Sequence, residues 1–285
     1  MLEERALSFS CRGAWLYGVL SLPKTPQPRG VLIVVGGPQY RAGSHRQFTL
    51  LARDLAAAGI PAMRFDYRGM GDSEGELQTF DNVDDDLRAA IDRFFLEVPG
   101  MSDVVLWGLC DGASAASMYA PQDARVSGLV LLNPWVRTEE GAARATIKHY
   151  YRDRLFDPAL WKKIKSGEFD VKASVSSLWD NVGKAFGPGS NNGAVDDAAG
   201  SSAPLPERMQ AALSRFGGRV LVVLSGADLT AQEFAGLANR PGAWQRLLGT
   251  PRFTRQQIDK ADHTFSRRPW QDQVSDWTRD WLRSW

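Results

Sequence analysis

Val104-Val-Leu-Trp-Gly108-Leu-Cys110-Asp-Gly112-Ala-Ser-Ala115 carries an apolar stretch into Gly-x-Cys-x-Gly and then into a run of small residues. The apolar stretch predicts a strand buried on both faces, and the small residues predict a helix beginning at about Gly112. Between them the chain must turn sharply. Gly108 and Gly112 leave room for strand and helix to pack closely while the Cys110 side chain projects from the turn. The helix amino terminus lends partial positive charge to any negative charge that develops there. Strand, glycine-flanked cysteine and helix in this register form the context of a nucleophile elbow, with Cys110 as the candidate nucleophile. The plain alternative is a buried, inert cysteine.

Outward from this stretch, strands and helices alternate. Short apolar runs at 31–35, 60–65, 103–107, 127–132 and 219–224 predict buried strands, and 14–22 predicts an antiparallel strand ending at Pro23. Helices are expected at about 46–58, stopped by Gly59, and at 82–96 and 112–120. Thr230 with Glu233 reads as a capping box opening another helix. A strand at 252–258 and a helix at 269–285 close the chain; Trp270, Val274, Trp277 and Trp281 recur every four residues and read as a stripe docked on the sheet. This alternation predicts an α/β fold: a mostly parallel central sheet flanked by helices.

The rhythm breaks between about 136 and 218. Aromatic-rich, helical sequence passes into glycine-, serine- and proline-rich loop chemistry at about 186–206. So long a connection predicts an inserted helical cap over the sheet. The expected organisation is a core in two parts, 1–135 and 219–285, with the cap at 136–218 between them.

The 285 residues hold 34 Lys and Arg against 33 Asp and Glu, a net charge of +1 that supplies no attraction to nucleic acid or an anionic membrane. Two cysteines, Cys11 and Cys110, are too few for a disulfide framework or a cysteine-rich zinc site, and the three histidines are too scattered for metal-ligand spacing. No cofactor or metal is expected. Met1-Leu-Glu-Glu lacks the basic and apolar regions of a signal peptide, and no window approaches a membrane span, so a cytoplasmic protein is expected. Cys11 lacks the context of Cys110 and is expected to be structural.

A nucleophile at such an elbow needs a base and an orienting acid in the chain order Cys, Asp, His. His263 follows a predicted strand and precedes the last helix, where a base on a loop at the carboxyl edge of the sheet would fall. Asp228 lies just past the strand at 219–224 and is the expected acid; Asp262 and Asp259 are alternatives, and Asp228 could instead serve the helix that follows it. Two backbone donors are needed for an oxyanion. The amide of Asp111 is one. The other is expected from Gly37, because Pro38 has no amide hydrogen. Gln39, Tyr40, Arg41, Tyr150 and Tyr151 are candidates for lining a substrate pocket, with Arg41 suited to a polar or anionic group.

The Gly-Gly-Pro loop, Phe65-Asp-Tyr-Arg-Gly-Met-Gly-Asp-Ser-Glu-Gly75, the elbow, the acid and the histidine together resemble the α/β-hydrolase superfamily. In that superfamily the Asp-Tyr-Arg-Gly segment forms a structural turn. Gly108-Leu-Cys-Asp-Gly-Ala-Ser-Ala, Leu224-Ser-Gly-Ala-Asp-Leu-Thr and Ala261-Asp-His-Thr-Phe are similar to the exosortase A system-associated hydrolases. That bacterial family is implied to accompany genes for exopolysaccharide synthesis and PEP-CTERM protein sorting. The sequence departs from the superfamily pattern at Val35, where a histidine often precedes the oxyanion glycines, and at Cys110, where serine is usual.

The resemblance implies an esterase or thioesterase acting on a small-molecule acyl substrate through Cys110, His263 and Asp228. An acyl-thioester intermediate also admits capture by an amine, thiol or sugar hydroxyl, so an acyltransferase is the rival. A binding protein that keeps the fold without the chemistry, and a scaffold acting through the Trp-rich last helix, are the non-enzymatic readings.

Overall fold

The computed structural model describes residues 2–37, 39–136 and 203–285. Most of the segment expected to form the cap, with Tyr150 and Tyr151, lies outside them. Eight strands form one sheet: β1 (Glu3–Cys11), β2 (Ala14–Leu22), β3 (Arg29–Val34), β4 (Ala62–Phe65), β5 (Asp103–Leu109), β6 (Val126–Leu132), β7 (Arg219–Ser225) and β8 (Phe253–Ile258). Their order is β1-β2-β4-β3-β5-β6-β7-β8. The pairs β1–β2 and β2–β4 are antiparallel, and every pair from β4 to β8 is parallel.

The helices are α1 (Gln47–Ala57), α2 (Asp84–Glu97), α3 (Asp111–Tyr119), α4 (Leu205–Arg215), α5 (Leu229–Ala238), α6 (Ala243–Leu248) and α7 (Arg268–Arg283). β5 is buried on both faces, so its apolar run divides by the two-residue period of a pleated strand. Val104 and Leu106 join one core with α2 to α6. Val105, Trp107 and Leu109 join the other with α1 and α7. On α7, Val274 and Trp281 are buried and Trp270 and Trp277 pack partly against the same core, as a docked helix does. Opposite that helix the backbone of Gly128 makes room: a Cβ there would stand 3.0 Å from the Trp281 and Trp285 rings.

Three elements were not expected. β1 begins with charged residues, but Leu7, Phe9 and Cys11 alternate inward behind them. Its partner is set by a tight turn at Arg12 and Gly13, both at positive φ, which pairs Cys11 with Ala14. α4 buries Met209 and Leu213, and α6 is a short helix under Trp244. β4 begins at Ala62 rather than at residue 60; Pro61 has no amide hydrogen for the ladder and contributes only its carbonyl, to Val31.

The segment from Asp66 to Gly75 is a braced turn. Asp66 is fully buried and accepts from the Arg41 amide (2.6 Å) and the Arg41 guanidinium, while the Ser73 hydroxyl donates to the Asp66 carbonyl (2.8 Å). Gly71 allows the turn, since its φ is +54° and a Cβ would lie 2.4 Å from the Asp66 carboxylate. This bracing ties the loop after β3 to the sheet.

β3 connects to β4 on one side and β5 lies on the other, so chain direction across the sheet reverses between β3 and β5. The carboxyl ends of the strands at such a reversal are the usual place for a ligand in an open α/β sheet. Among the described residues no helix is long and apolar enough to cross a membrane, and no group of three His, Cys, Asp or Glu side chains is placed to hold a metal ion.

Candidate active site

The residues singled out in the sequence stand at the carboxyl ends of strands in the parallel part of the sheet: Gly37 after β3, Cys110 after the neighbouring β5, and, beyond β6, Asp228 after β7 and His263 after β8. Cys110 is the hinge between β5 and α3. Its backbone sits at φ +61° and ψ −126°, a conformation that a side-chain-bearing residue adopts only under constraint. The constraint is visible. The Cys110 amide donates to Leu132 (2.9 Å), and its carbonyl accepts from Ala113 (3.1 Å) and Trp135 (3.2 Å). The flanking glycines are required sterically: a Cβ on Gly108 would lie 2.5 Å from the Gly112 carbonyl, and one on Gly112 would lie 2.6 Å from the Val34 carbonyl. The thiol is free and partly buried. Cys11 is also free, but it is buried inside β1, and burial pushes its thiol above the usual range.

His263 Nδ1 lies 3.0 Å from Asp228 Oδ2. The pair with Asp228 and a hydrogen bond with Cys110 raise His263 against the opposing effect of burial, to about 10. The carboxylate on the ring is therefore Asp228's. Asp262 turns instead to its own loop, accepting from the Ser266 amide (2.9 Å) and the Ser266 hydroxyl, and Asp259 accepts from the Gln257 side chain (2.8 Å). The expected capping box at Thr230 and Glu233 does not open α5. Asp228 is the N-cap, its Oδ2 accepting from the Ala231 amide at 2.9 Å, so Thr230 lies inside the helix. One carboxylate thus serves both uses left open by the sequence.

The pocket-lining candidates separate. Arg41 directs its guanidinium to Asp66 and Asp72, so its charge is engaged inside the fold. Gln39 accepts from the Ser44 amide within its own loop (3.4 Å). Tyr40 is half exposed. Gly37, at φ +59°, has open space around its α-carbon.

Two features escaped the sequence reading. Asn133, fully buried just past β6 at φ +43°, donates from Nδ2 to Ser225 Oγ (2.8 Å) and to the His263 carbonyl (2.9 Å). Its Oδ1 accepts from the Ser225 amide (2.9 Å). It ties the ends of β6 and β7 to the histidine loop, and positive φ at an asparagine was the signal a sequence does not print. The second is the Asp111 carboxylate, which turns back toward the glycine loop: Oδ1 accepts from the Gly112 amide at 3.0 Å.

A family model described as serine aminopeptidase, S33, matches residues 26–164, a span that includes Gly37, Cys110 and Asp111 but neither Asp228 nor His263. No curated protein matches the chain. Among solved structures, an esterase of Pyrococcus furiosus superposes with a TM-score of 0.66 at 13% identity, covering 100% of this chain and 93% of the other. Est1E of Butyrivibrio proteoclasticus, with ferulic acid bound, gives 0.63 at 14% identity over 98% of each chain. A dienelactone hydrolase of Anabaena variabilis gives 0.60 at 15% identity, covering 100% of this chain and 98% of the other.

Proposed function

We propose that this chain, which has the α/β-hydrolase fold, is an esterase or thioesterase whose nucleophile is Cys110, with His263 as base and Asp228 as the acid that orients it. The observation that carries the reading is the convergence at one edge of the sheet: a strained Cys110 between strand and helix, and a His263–Asp228 pair at 3.0 Å beside it. Neighbours of the same fold described as an esterase and a dienelactone hydrolase support the reaction class.

In this mechanism His263, whose affinity for a proton is raised, takes the Cys110 proton, and Asp228 stabilises the imidazolium and holds its tautomer. The sulfur attacks the acyl carbon, forming a C–S bond while the carbonyl electron pair moves to oxygen. The amides of Gly37 and Asp111 receive that oxyanion. Collapse expels the alkoxide or thiolate, which takes the proton from His263. Water then gives a proton to His263 and attacks the thioester; Cys110 leaves as thiolate and recovers the proton. The products are the acid and the alcohol or thiol. The motifs around Cys110, Asp228 and His263 resemble the exosortase A system-associated hydrolases, which supports, for the rival acyltransferase reading, an acceptor in exopolysaccharide-related metabolism.

Intact-protein mass spectrometry after exposure to p-nitrophenyl acetate tests the reading. The expected result is a burst of p-nitrophenol and a 1:1 acetyl adduct mapped to Cys110. A protein that turns over the ester without modification of Cys110 would overturn it. An adduct that persists in water and is released only by an added alcohol or amine would turn the assignment to acyl transfer, the second reading that a thiol nucleophile favours.

A further inference from the structure

The Asp111 side chain is unusual for the place it occupies. Its carboxylate does not point away from the elbow: Oδ1 lies 3.0 Å from the Gly112 amide, and a Cβ on Gly36 would come within 2.3 Å of the same oxygen. Gly36 therefore has no side chain where the carboxylate rests against the loop after β3. The amides of Gly37, Gly112 and Asp111 itself all act on this carboxyl group, drawing its proton affinity down while burial raises it, with burial the larger. Two of those three amides are the donors assigned above to the oxyanion. A single small pocket thus has two claimants, one of which is built into the chain.

Resting on the proposed role of Cys110, we propose that Asp111 is a specificity-determining residue whose carboxyl group occupies the oxyanion pocket until a substrate displaces it. A tetrahedral oxyanion and a carboxylate cannot share the same amides, because both are anionic and both need those donors. The carboxylate must turn out before the acyl group on Cys110 is stabilised. Once out, a partly buried carboxylate loses its amide partners and needs a replacement. An acyl group with an ammonium or other donor next to its carbonyl supplies one; a plain acyl group does not. The titratable groups acting on or affected by the carboxylate are His263 from the loop after β8 and Tyr67. Tyr67 is buried and donates to the Val35 carbonyl beneath the same loop.

The experiment compares wild-type protein, Asp111→Ala and Asp111→Asn. Acyl transfer to Cys110 is timed by mass spectrometry with acetyl and glycyl thioesters of N-acetylcysteamine, alongside NMR of the Gly37 amide proton. In the wild type the Gly37 amide shift follows the ionisation of Asp111, at a pH above the usual carboxylate range, and in Asp111→Ala it does not. Asp111→Ala accepts acetyl at least about tenfold faster than wild type, and glycyl with a smaller gain. Asp111→Asn, similar in shape but uncharged, falls between the two and guards against a folding defect in the alanine variant. Equal gains for both thioesters would overturn the specificity role. No gain with either, or a Gly37 amide indifferent to Asp111, would overturn the occupancy. Failure of Cys110 to take any acyl group in all three proteins, while iodoacetamide still alkylates it, would instead overturn the nucleophile; the Gly37 titration then decides the occupancy alone.

Discussion

The chain carries two free cysteines, and the regions around them were built for different ends. Cys11 ends a regular strand, points inward between neighbours such as Leu7 and Phe9, and is buried at 5% exposure. Cys11 itself keeps ordinary β geometry, and the positive-φ turn begins only after it, at Arg12. Cys110 stands where β5 breaks into α3, at positive φ, with glycines on both sides and a histidine in reach. The residue type is the same. What differs is that the backbone at Cys110 gives up a favourable conformation and its partly buried thiol meets His263. Strain of that kind costs on the order of 1–3 kcal/mol and persists only where the surrounding structure over-determines it.

The comparison breaks most sharply at the thiols themselves. Replacing Cys110 by alanine lowers ester turnover at least ~10⁴-fold, measured as the rate of p-nitrophenol release. Comparable turnover in Cys110→Ala would make the two cysteines equivalent after all. Next comes the acid. Asp228→Asn lowers kcat on the order of 10³-fold, because the amide no longer holds the imidazolium. Asparagine caps helices as well as aspartate does, so α5 and the melting temperature stay nearly intact. The same variant carries a pH signature. A folded-state His263 value near 10 against an ordinary 6.5 means that its protonation stabilises the fold fully below about pH 6.5, and that this contribution is lost as pH rises through about 10. In Asp228→Asn the imidazole titration, followed by NMR, moves down toward the ordinary range, and the alkaline loss of stability moves with it. An unmoved titration would show that Asp228 is only a cap.

A smaller effect is expected at Asn133. Asn133→Gly keeps the positive φ available but removes the bond to the His263 carbonyl and leaves the Ser225 amide without its partner. kcat falls about 10–100-fold with little change in KM, as expected for a displaced base. A stability loss without any fall in kcat would reduce Asn133 to a structural tie. The smallest effect on chemistry is at the other cysteine. Cys11→Ser buries a hydroxyl in an apolar core and destabilises the protein by about 1–3 kcal/mol in a denaturant titration, with the rate per folded molecule unchanged.

Much of this was legible from residues alone, and unevenly so. The parallel strands were readable because a strand buried on both faces shows an unbroken apolar run, as in Val31-Leu-Ile-Val-Val35. β1 was not, because Glu3, Glu4 and Arg5 mask an alternation that begins only at Leu7. The helix after β7 was expected, but its cap was misplaced. Thr230 and Glu233 have the right spacing, yet Asp228 is closer to the strand end and reaches the Ala231 amide first.

By itself the sequence determined the alternation of strands and helices, the glycine-flanked cysteine and the chain order of Cys110, Asp228 and His263. These are local properties: periodicity and the steric demands of one turn are written in consecutive residues. Only the tertiary structure decided which of three nearby carboxylates faces the histidine, that Asn133 holds the histidine loop, and that Asp111 turns its carboxylate toward the loop after β3. Those outcomes depend on which strands become neighbours and how their carboxyl ends converge. Hydrogen bonds between residues 92 or 130 positions apart, as at Asn133, leave no local pattern to read.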